Sequence, residues 1–365
     1  MAVKLAQELE KVNSGRYIDE SDMQLRDFLT DWLSRKKNKI KPTTYDSYDQ
    51  HMRVHILPII GDKKLKDFRR KHIQEFYDLK FESSRIDQKG GLSSATIVKI
   101  HNILHTAFEY AVNNQMISIN PTKDVAIPRS MEKERRVFTL EEQKAFIAAL
   151  EGDRLKLAFL LDISTGMRLG ELLALTWDDI NLDQKYLIVR KTLARIKNRY
   201  TKDEKYKLVP QEPKTEKAKR LIPIPDSIIP VLIQHKEQQE EEKADAGDLY
   251  LDKNIVFCTD TGRYIHPRNF MRSFYRIVEK AEIPKANVHS LRHTFATRML
   301  ELGESAKVVQ ELLGHKNIMQ TLNTYTHVLE DTKKAAMSKI DMLMQSFDNK
   351  GTDSCARKED ALPEN

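Results

Sequence analysis

Cysteine is almost missing from this chain. The two present in 365 residues, Cys258 and Cys355, are too few for a disulfide framework or a structural zinc site. No apolar run approaches the roughly 20 residues that a membrane span needs. The opening MAVKLAQELEKVNSG is polar and reads as helix, without the apolar centre of a secretory signal. There is no trio of carboxylates and no His/Cys ligand set, so a two-metal phosphotransfer site has no support. Internal repeats and long low-complexity segments are missing as well. These absences point to a cytoplasmic or nucleoid-associated protein with ordinary packed cores.

Positive charge, by contrast, is abundant and unevenly placed. The chain holds 61 Lys and Arg against 54 Asp and Glu, a formal net charge of +7. Residues 183–224 alone carry 13 basic and 5 acidic side chains, a net +8. A solvated hairpin would explain a few of these charges. So dense a patch favours nucleic-acid contact through phosphates. Lys202, Lys205 and Lys207 are its candidate contacts, with Lys41 and Thr43 as further candidates near the start of an earlier helix.

The length argues for two or three domains. From Ser21 to Asn120 the pattern is helical throughout. Leu25, Phe28, Leu29, Trp32 and Leu33 recur at helical spacing. Pro42 opens a second helix, with Thr43 or Thr44 as its expected cap, and Pro58 and Gly61 close it. RKHIQEFYDLKF gives a third helix. After a loop at Gly90-Gly91, a fourth carries Ile97, Ile100, Leu104, Ala107, Phe108 and Ala111 on one face. PTKDVAIPRSMEKERRV is proline-bearing, charged and aperiodic, and reads as a linker. Thr139 with Glu142 three residues on predicts a capping box that starts a second domain. Two helical segments follow, separated at Ser164-Thr165-Gly166. After Trp177, NLDQKYLIVRKTLARI and KRLIPIP alternate as strands do, and NIVFCTDTGRYIHPRNF has a further strand-like run.

Several residues could carry chemistry. Arg168 follows a Thr-Gly break in STGMRLGELLAL, where a guanidinium can fork onto a phosphate. Glu171 lies one helical turn later on the same face; on its own it reads as an intrahelical partner. His289 and Arg292 share a face of another helix. Like charges side by side are costly to bury, whereas an arginine that neutralises an anion beside a histidine that moves a proton suits a phosphodiester. Gly314 reads as a helix C-cap that puts His315 in a turn. Tyr325 alone would read as a core or rim residue. Its phenol, with a pKa near 10, becomes a useful nucleophile only where positive charge stabilises its attack. On the basic hairpin, Lys214, Lys217 and Lys219 are equivalent candidates to protonate a leaving oxygen.

The ordered set STGMRLGELLAL, EPKTEKAKR, HSLRHTFAT and LLGHKNIMQTLNTYTHV resembles the tyrosine recombinases, the lambda-integrase-like family, over about Ser21 to Lys339. Its texture is similar to integrases of conjugative transposons and prophages of Gram-positive bacteria. The resemblance implies a mainly α fold with a small β-sheet: an α-helical core-binding, SAM-like domain and a mixed α+β catalytic domain. It also implies catalytic roles for Arg168, Glu171, Lys214, His289, Arg292 and His315, with Tyr325 as nucleophile and Lys214 singled out as general acid. The implied reaction forms a 3′-phosphotyrosyl link and needs neither ATP nor metal. The implied partners are double-stranded DNA attachment sites, three further copies in a synaptic homo-tetramer, and an accessory excision factor. The expected organisation is a remnant helix over 1–20, a core-DNA-binding domain over 21–122, a linker over 123–138, a catalytic domain over 139–346 and a disordered tail over 347–365. A type IB topoisomerase-like relaxing enzyme would use the same chemistry, and a non-catalytic DNA-binding regulator would use the same basic surfaces. The complete catalytic set favours the recombinase.

Overall fold

The structure is a computed structural model that describes residues 21–83, 90–128, 136–198, 206–212, 219–315, 317–322, 337–345 and 347. It divides into two compact units, one of Met1–Lys133 with Arg195–Lys207, the other of Glu134–Ala194 with Leu208–Asn365.

The first unit is helical. Helices α1 (Leu25–Lys36), α2 (Pro42–His51), α3 (Leu57–Ile60), α4 (Arg70–Ser83) and α5 (Ser94–Asn113) surround one apolar core. The sequence periodicity reports that core faithfully: Leu25, Phe28, Leu29, Trp32 and Leu33 of α1 are all buried in one cluster with Ile97, Ile100, Leu104 and Phe108 of α5. Ser93 caps α5 by accepting from the Thr96 amide at 3.3 Å.

The start of α2 departs from expectation. Neither Thr43 nor Thr44 caps it; Lys41 occupies the N-cap, no side chain bonds there, and Pro42 sits in the first turn. Proline presets the helical φ and has no amide to satisfy, so a hydroxyl cap is dispensable. Where Pro58 was expected to close the helix, the chain widens into a π-turn over Met52–Ile56 before α3. Proline cannot accept a normal helical neighbour four residues back, and the wider turn makes room for its ring. Lys197, clustered with this unit, donates its amide to Asp46 at 2.8 Å and its ammonium to Asp49 at 2.5 Å. One of the hairpin's charges is thus already matched by the Asp49 carboxylate.

The second unit mixes helices and small sheets. It contains α6 (Leu140–Ala149), α7 (Lys156–Thr165), α8 (Leu169–Leu172), α9 (Ile229–Ala246), α10 (Pro267–Lys280), α11 (Val288–Glu301), α12 (Ala306–Leu313) and α13 (Met319–Leu322). The expected box at α6 forms: Thr139 Oγ1 accepts from the Glu142 amide, and Glu142 accepts from the Thr139 amide. Strands β1 (Ile180–Asn181), β2 (Tyr186–Val189) and β5 (Arg220–Pro223) make an antiparallel sheet in the order β1-β2-β5, while β3 (Thr192–Lys197) pairs with β4 (Tyr206–Gln211). Leu187 faces Ile222 across the β2–β5 register, which sets both side chains into the core. Phe138, Phe146, Phe159, Phe270 and Phe274 form its aromatic centre.

The strand-like run at Ile255–Phe257 is buried but makes only isolated bridges, Thr176 with Ile255 and Cys258 with Tyr264. Its apolar alternation serves burial rather than a ladder. Helix α7 runs through Ser164 and Thr165 and stops at Gly166, so the break falls after those residues. No helix among the described residues is long and apolar enough to cross a membrane.

Candidate active site

The second unit gathers three arginines at the end of one helix. Helix α12 stops because Gly314 takes the left-handed conformation, φ +64°, which glycine adopts without steric penalty. The last carbonyls of any helix lack intrahelical partners and carry the negative end of its dipole. Here each of three successive carbonyls receives a different guanidinium. Arg220 Nε donates to Leu312 O at 2.6 Å, Arg292 NH2 to Leu313 O at 2.7 Å, and Arg168 NH2 to Gly314 O at 3.1 Å. The three come from β5, α11 and the N-cap of α8.

Each arginine is fixed a second time. Arg292 NH1 donates to Gly166 O at 2.6 Å, which ties α11 to the end of α7. Gly166 is itself left-handed at φ +62°, and an added Cβ would fall 2.5 Å from the Phe295 ring and 2.8 Å from Leu313. Glu171 holds the other two. Its Oε1 accepts from Arg168 NH1 at 2.8 Å, and its Oε2 accepts from Arg220 NH2 at 2.7 Å and from the Arg168 amide at 3.0 Å. Burial would raise the Glu171 carboxyl, but the Arg220 hydrogen bond and charge, followed by the Arg168 charge, outweigh it and hold the pKa at about 2. Glu171 is therefore ionised wherever the protein works.

Behind them, Asp162 on α7 is fully buried with Oδ1 unpartnered. Burial lifts its pKa well above the carboxylate range despite the Arg292 charge, and the Glu171 charge lifts it further. The cluster thus presents three guanidinium groups to one ionised carboxylate, an excess of positive charge suited to an anion.

The histidines lie at the margin of this cluster. His289, on the first turn of α11, is exposed. The protein packed behind it, then the charges of Arg292 and Arg168, lower its pKa below the ordinary histidine range. The cost of burying like charges argues against a core place for the His289–Arg292 pair, yet Arg292 is buried. Two backbone carbonyls satisfy its guanidinium, which removes the objection to burying it. His315 sits in the turn beyond Gly314, as expected from the C-cap. Its amide donates to Gln310 O at 3.1 Å and its carbonyl accepts from Gln310 Nε2 at 3.0 Å.

The structure therefore brings Arg168, Glu171, Arg292 and His315 together at the α12 terminus, with His289 within reach of the same charges. Lys41 and Thr43 lie apart from these, at the start of α2 in the first unit, and Lys207 lies on β4. Lys202, Lys205, Lys214 and Tyr325 fall outside the described residues. Sequence reasoning overlooked Arg220 and Asp162. Arg220 was one basic residue among 13 in its stretch. The available signal was alternation, since Arg220, Ile222 and Ile224 share one strand face and both isoleucines are buried.

Comparison with known proteins adds an independent line. Residues 136–332 match the phage integrase family, and residues 24–80 match the phage integrase N-terminal SAM-like domain. A tyrosine recombinase XerC-like protein of Caldanaerobacter subterraneus subsp. tengcongensis is 36% identical over 347 residues, which is 92% of this chain and 87% of that protein. The ICEBs1 integrase of Bacillus subtilis is 24% identical over 309 residues, 83% of this chain and 79% of that protein. The solved structure of the Tn1549 transposon integrase in complex with transposon right end DNA superposes with a TM-score of 0.72 at 24% identity, covering 87% of this chain and 100% of that one. At that identity the likeness is one of fold.

Proposed function

This chain belongs to the phage integrase family of tyrosine recombinases, and from that premise we propose that it cuts and rejoins double-stranded DNA at attachment sites, integrating and excising a mobile element. The observation that supports this most is the arginine cluster at the α12 terminus, with its excess of positive charge beside His289 and His315.

In this reading a scissile phosphate occupies the cluster, with Arg168 and Arg292 directed at its non-bridging oxygens. A guanidinium's planar fork suits the two non-bridging oxygens of a phosphate. Tyr325, ten residues beyond His315 in sequence, supplies the nucleophile. Its phenol oxygen bonds to phosphorus, the bond from phosphorus to the 5′-oxygen breaks, and a 3′-phosphotyrosyl link remains. His289, whose pKa burial and then the Arg292 and Arg168 charges lower, accepts the phenolic proton, and Lys214 gives a proton to the departing 5′-oxygen. The 5′-hydroxyl of a partner strand then attacks the same phosphorus and expels Tyr325. One phosphodiester-type bond is exchanged for another at each step, so no external energy source enters. Glu171 orients Arg168 and does not itself react.

Strand exchange between two duplexes calls for four copies, so a homo-tetramer on DNA belongs to the proposal, as does an accessory factor that favours excision. The working place is the nucleoid in the cytoplasm. Relaxation of supercoils without synapsis is not favoured, because the matched proteins are named as recombinases and integrases.

The test uses nicked duplexes that trap a covalent intermediate, recovered by the full-length protein from a pool of randomised sequence. Adducts are read on a denaturing gel in the presence of EDTA. Wild type is expected to give a slow-migrating adduct despite the chelator. Tyr325→Phe, which removes one oxygen and little volume, is expected to bind and give none. An adduct from the Phe variant, or a strict metal requirement in wild type, overturns the mechanism.

A further inference from the structure

We infer that Arg220 is a positioning residue of this reaction: it clamps the carboxylate that orients Arg168 and the helix terminus that presents His315 into one rigid unit. The inference rests on the recombinase reading above and extends it to a residue outside that reading's catalytic set.

Arg220 begins strand β5, where Val189 pairs with it across the sheet. Only 8% of its side chain is exposed, an unusual place for an arginine unless every donor direction is used. One edge of the guanidinium reaches Leu312 O through Nε, and another reaches Glu171 Oε2 through NH2. Its third nitrogen lies over Gly314, where an added Cβ would stand 3.0 Å from NH1 and 3.2 Å from Cζ. The flat group therefore packs directly on the glycine that precedes His315. A planar fork can hold a carboxylate and a carbonyl in fixed relative positions; a single ammonium cannot.

Two consequences for chemistry follow. Without Arg220, the end of α12 loses one of its three arginine contacts, and His315 loses its fixed place relative to Arg168. Glu171 also loses the strongest influence keeping it ionised. Burial pushes its carboxyl up, and the Arg220 hydrogen bond is the foremost opposing contribution. A protonated Glu171 can no longer hold Arg168 with both oxygens. Arg220 thus acts on the reacting phosphate only through other residues, and its two effects, geometric and electrostatic, can be separated by substitution.

The experiment measures single-turnover adduct formation by full-length protein on the nicked duplex selected by wild type, across a pH series, with duplex affinity and thermal melting measured in parallel. Arg220→Lys keeps the charge beside Glu171 and loses the fork. It is expected to bind the duplex as wild type does, to slow adduct formation by roughly a hundredfold, the scale of a small misplacement in a reacting site, and to keep the wild-type pH profile. Arg220→Met loses both effects. It is expected to be slowed likewise and to gain an acid limb, with the rate falling as pH drops through the raised Glu171 pKa. Adding Glu171→Gln should abolish that limb. If Arg220→Met does not fold, Arg220→Lys decides the question alone. Wild-type rates in Arg220→Lys overturn the inference while leaving the recombinase reading intact. A slowing matched by equal losses of melting temperature and duplex affinity also overturns it, because Arg220 would then be merely structural. No adduct from wild type overturns the recombinase reading and the inference with it.

Discussion

Asp162 is fully buried on α7, and the charge of Arg292 acts on its carboxyl. Arg292 donates to the carbonyls of Gly166 and Leu313, while Asp162 Oδ1 is unpartnered and the carboxyl is fully enclosed. Burial raises its pKa well above the carboxylate range against the lowering effect of Arg292. A carboxyl pushed up in this way offsets the arginine's charge less than an ordinary aspartate would.

Asp162→Asn should therefore fold and keep its ability to form the covalent adduct. A group whose folded pKa is raised contributes stability that is complete below its unfolded pKa, near 3.8 for aspartate. That contribution is lost as pH rises through the folded value. Wild type should thus lose melting temperature relative to Asp162→Asn as pH climbs from about 4 to neutrality. If wild type instead gains on the variant over that range, Asp162 is ionised and paired with Arg292, and the account is wrong.

Gly314 is held by two independent constraints, and Gly314→Ala should break both. A left-handed residue with a Cβ costs about 1–2 kcal/mol, and the new methyl would also press on Arg220 at 3.0 Å. Melting should fall by roughly 2–4 °C for each kcal/mol lost in a unit of this size. Adduct formation should fall much further, because the Arg220 contact to Leu312 O and the position of His315 move together. A variant with the full melting loss and an unimpaired rate of adduct formation would show that the terminus of α12 is not part of the reacting geometry.

The helices, and the nearness of Arg168 and Glu171 on one turn, were legible in the sequence because they depend on local rules. The spacing of Leu25, Phe28, Leu29 and Trp32 reports one buried face. Thr139 with Glu142 reports a cap, and Gly314 reports a helix end with His315 beyond it. What the sequence could not report was the partner of each charge. Arg292 reads as a surface group until the carbonyls that satisfy it are seen, since burial of an arginine depends on contacts far along the chain. Arg220 is hidden for the same reason: its partners, Glu171 and Leu312, are 49 and 92 residues away. Ile255–Phe257 has the composition of a strand, but a ladder needs an adjacent free edge, and here it makes bridges alone. Thr43 and Thr44 have the chemistry of a cap, but Pro42 at the start of α2 leaves less for a cap to satisfy.

The basic stretch around β3 and β4 makes the last prediction quantitative. Each phosphate neutralised on duplex DNA releases counterions, and log affinity falls against log salt with a slope of about −0.9 per contact. Residues 183–224 carry a net +8, but that sum overstates what DNA can use. Lys197 is already matched to Asp49, and Arg220 to Glu171. Lys202, Lys205 and Lys207 are the lysines proposed to reach phosphates. Replacing all three with Ala should make the salt slope shallower by up to roughly 2.7, three contacts at the value per phosphate. Affinity at low salt should drop much more than affinity at high salt. Lys197→Ala should behave differently, removing the side-chain contact to Asp49 while keeping the amide bond to Asp46, with little change in slope. The measurement is filter binding of the selected duplex by full-length protein over a series of salt concentrations. An unchanged slope in the triple variant would mean that these lysines face solvent and that the patch is not the DNA contact proposed for it.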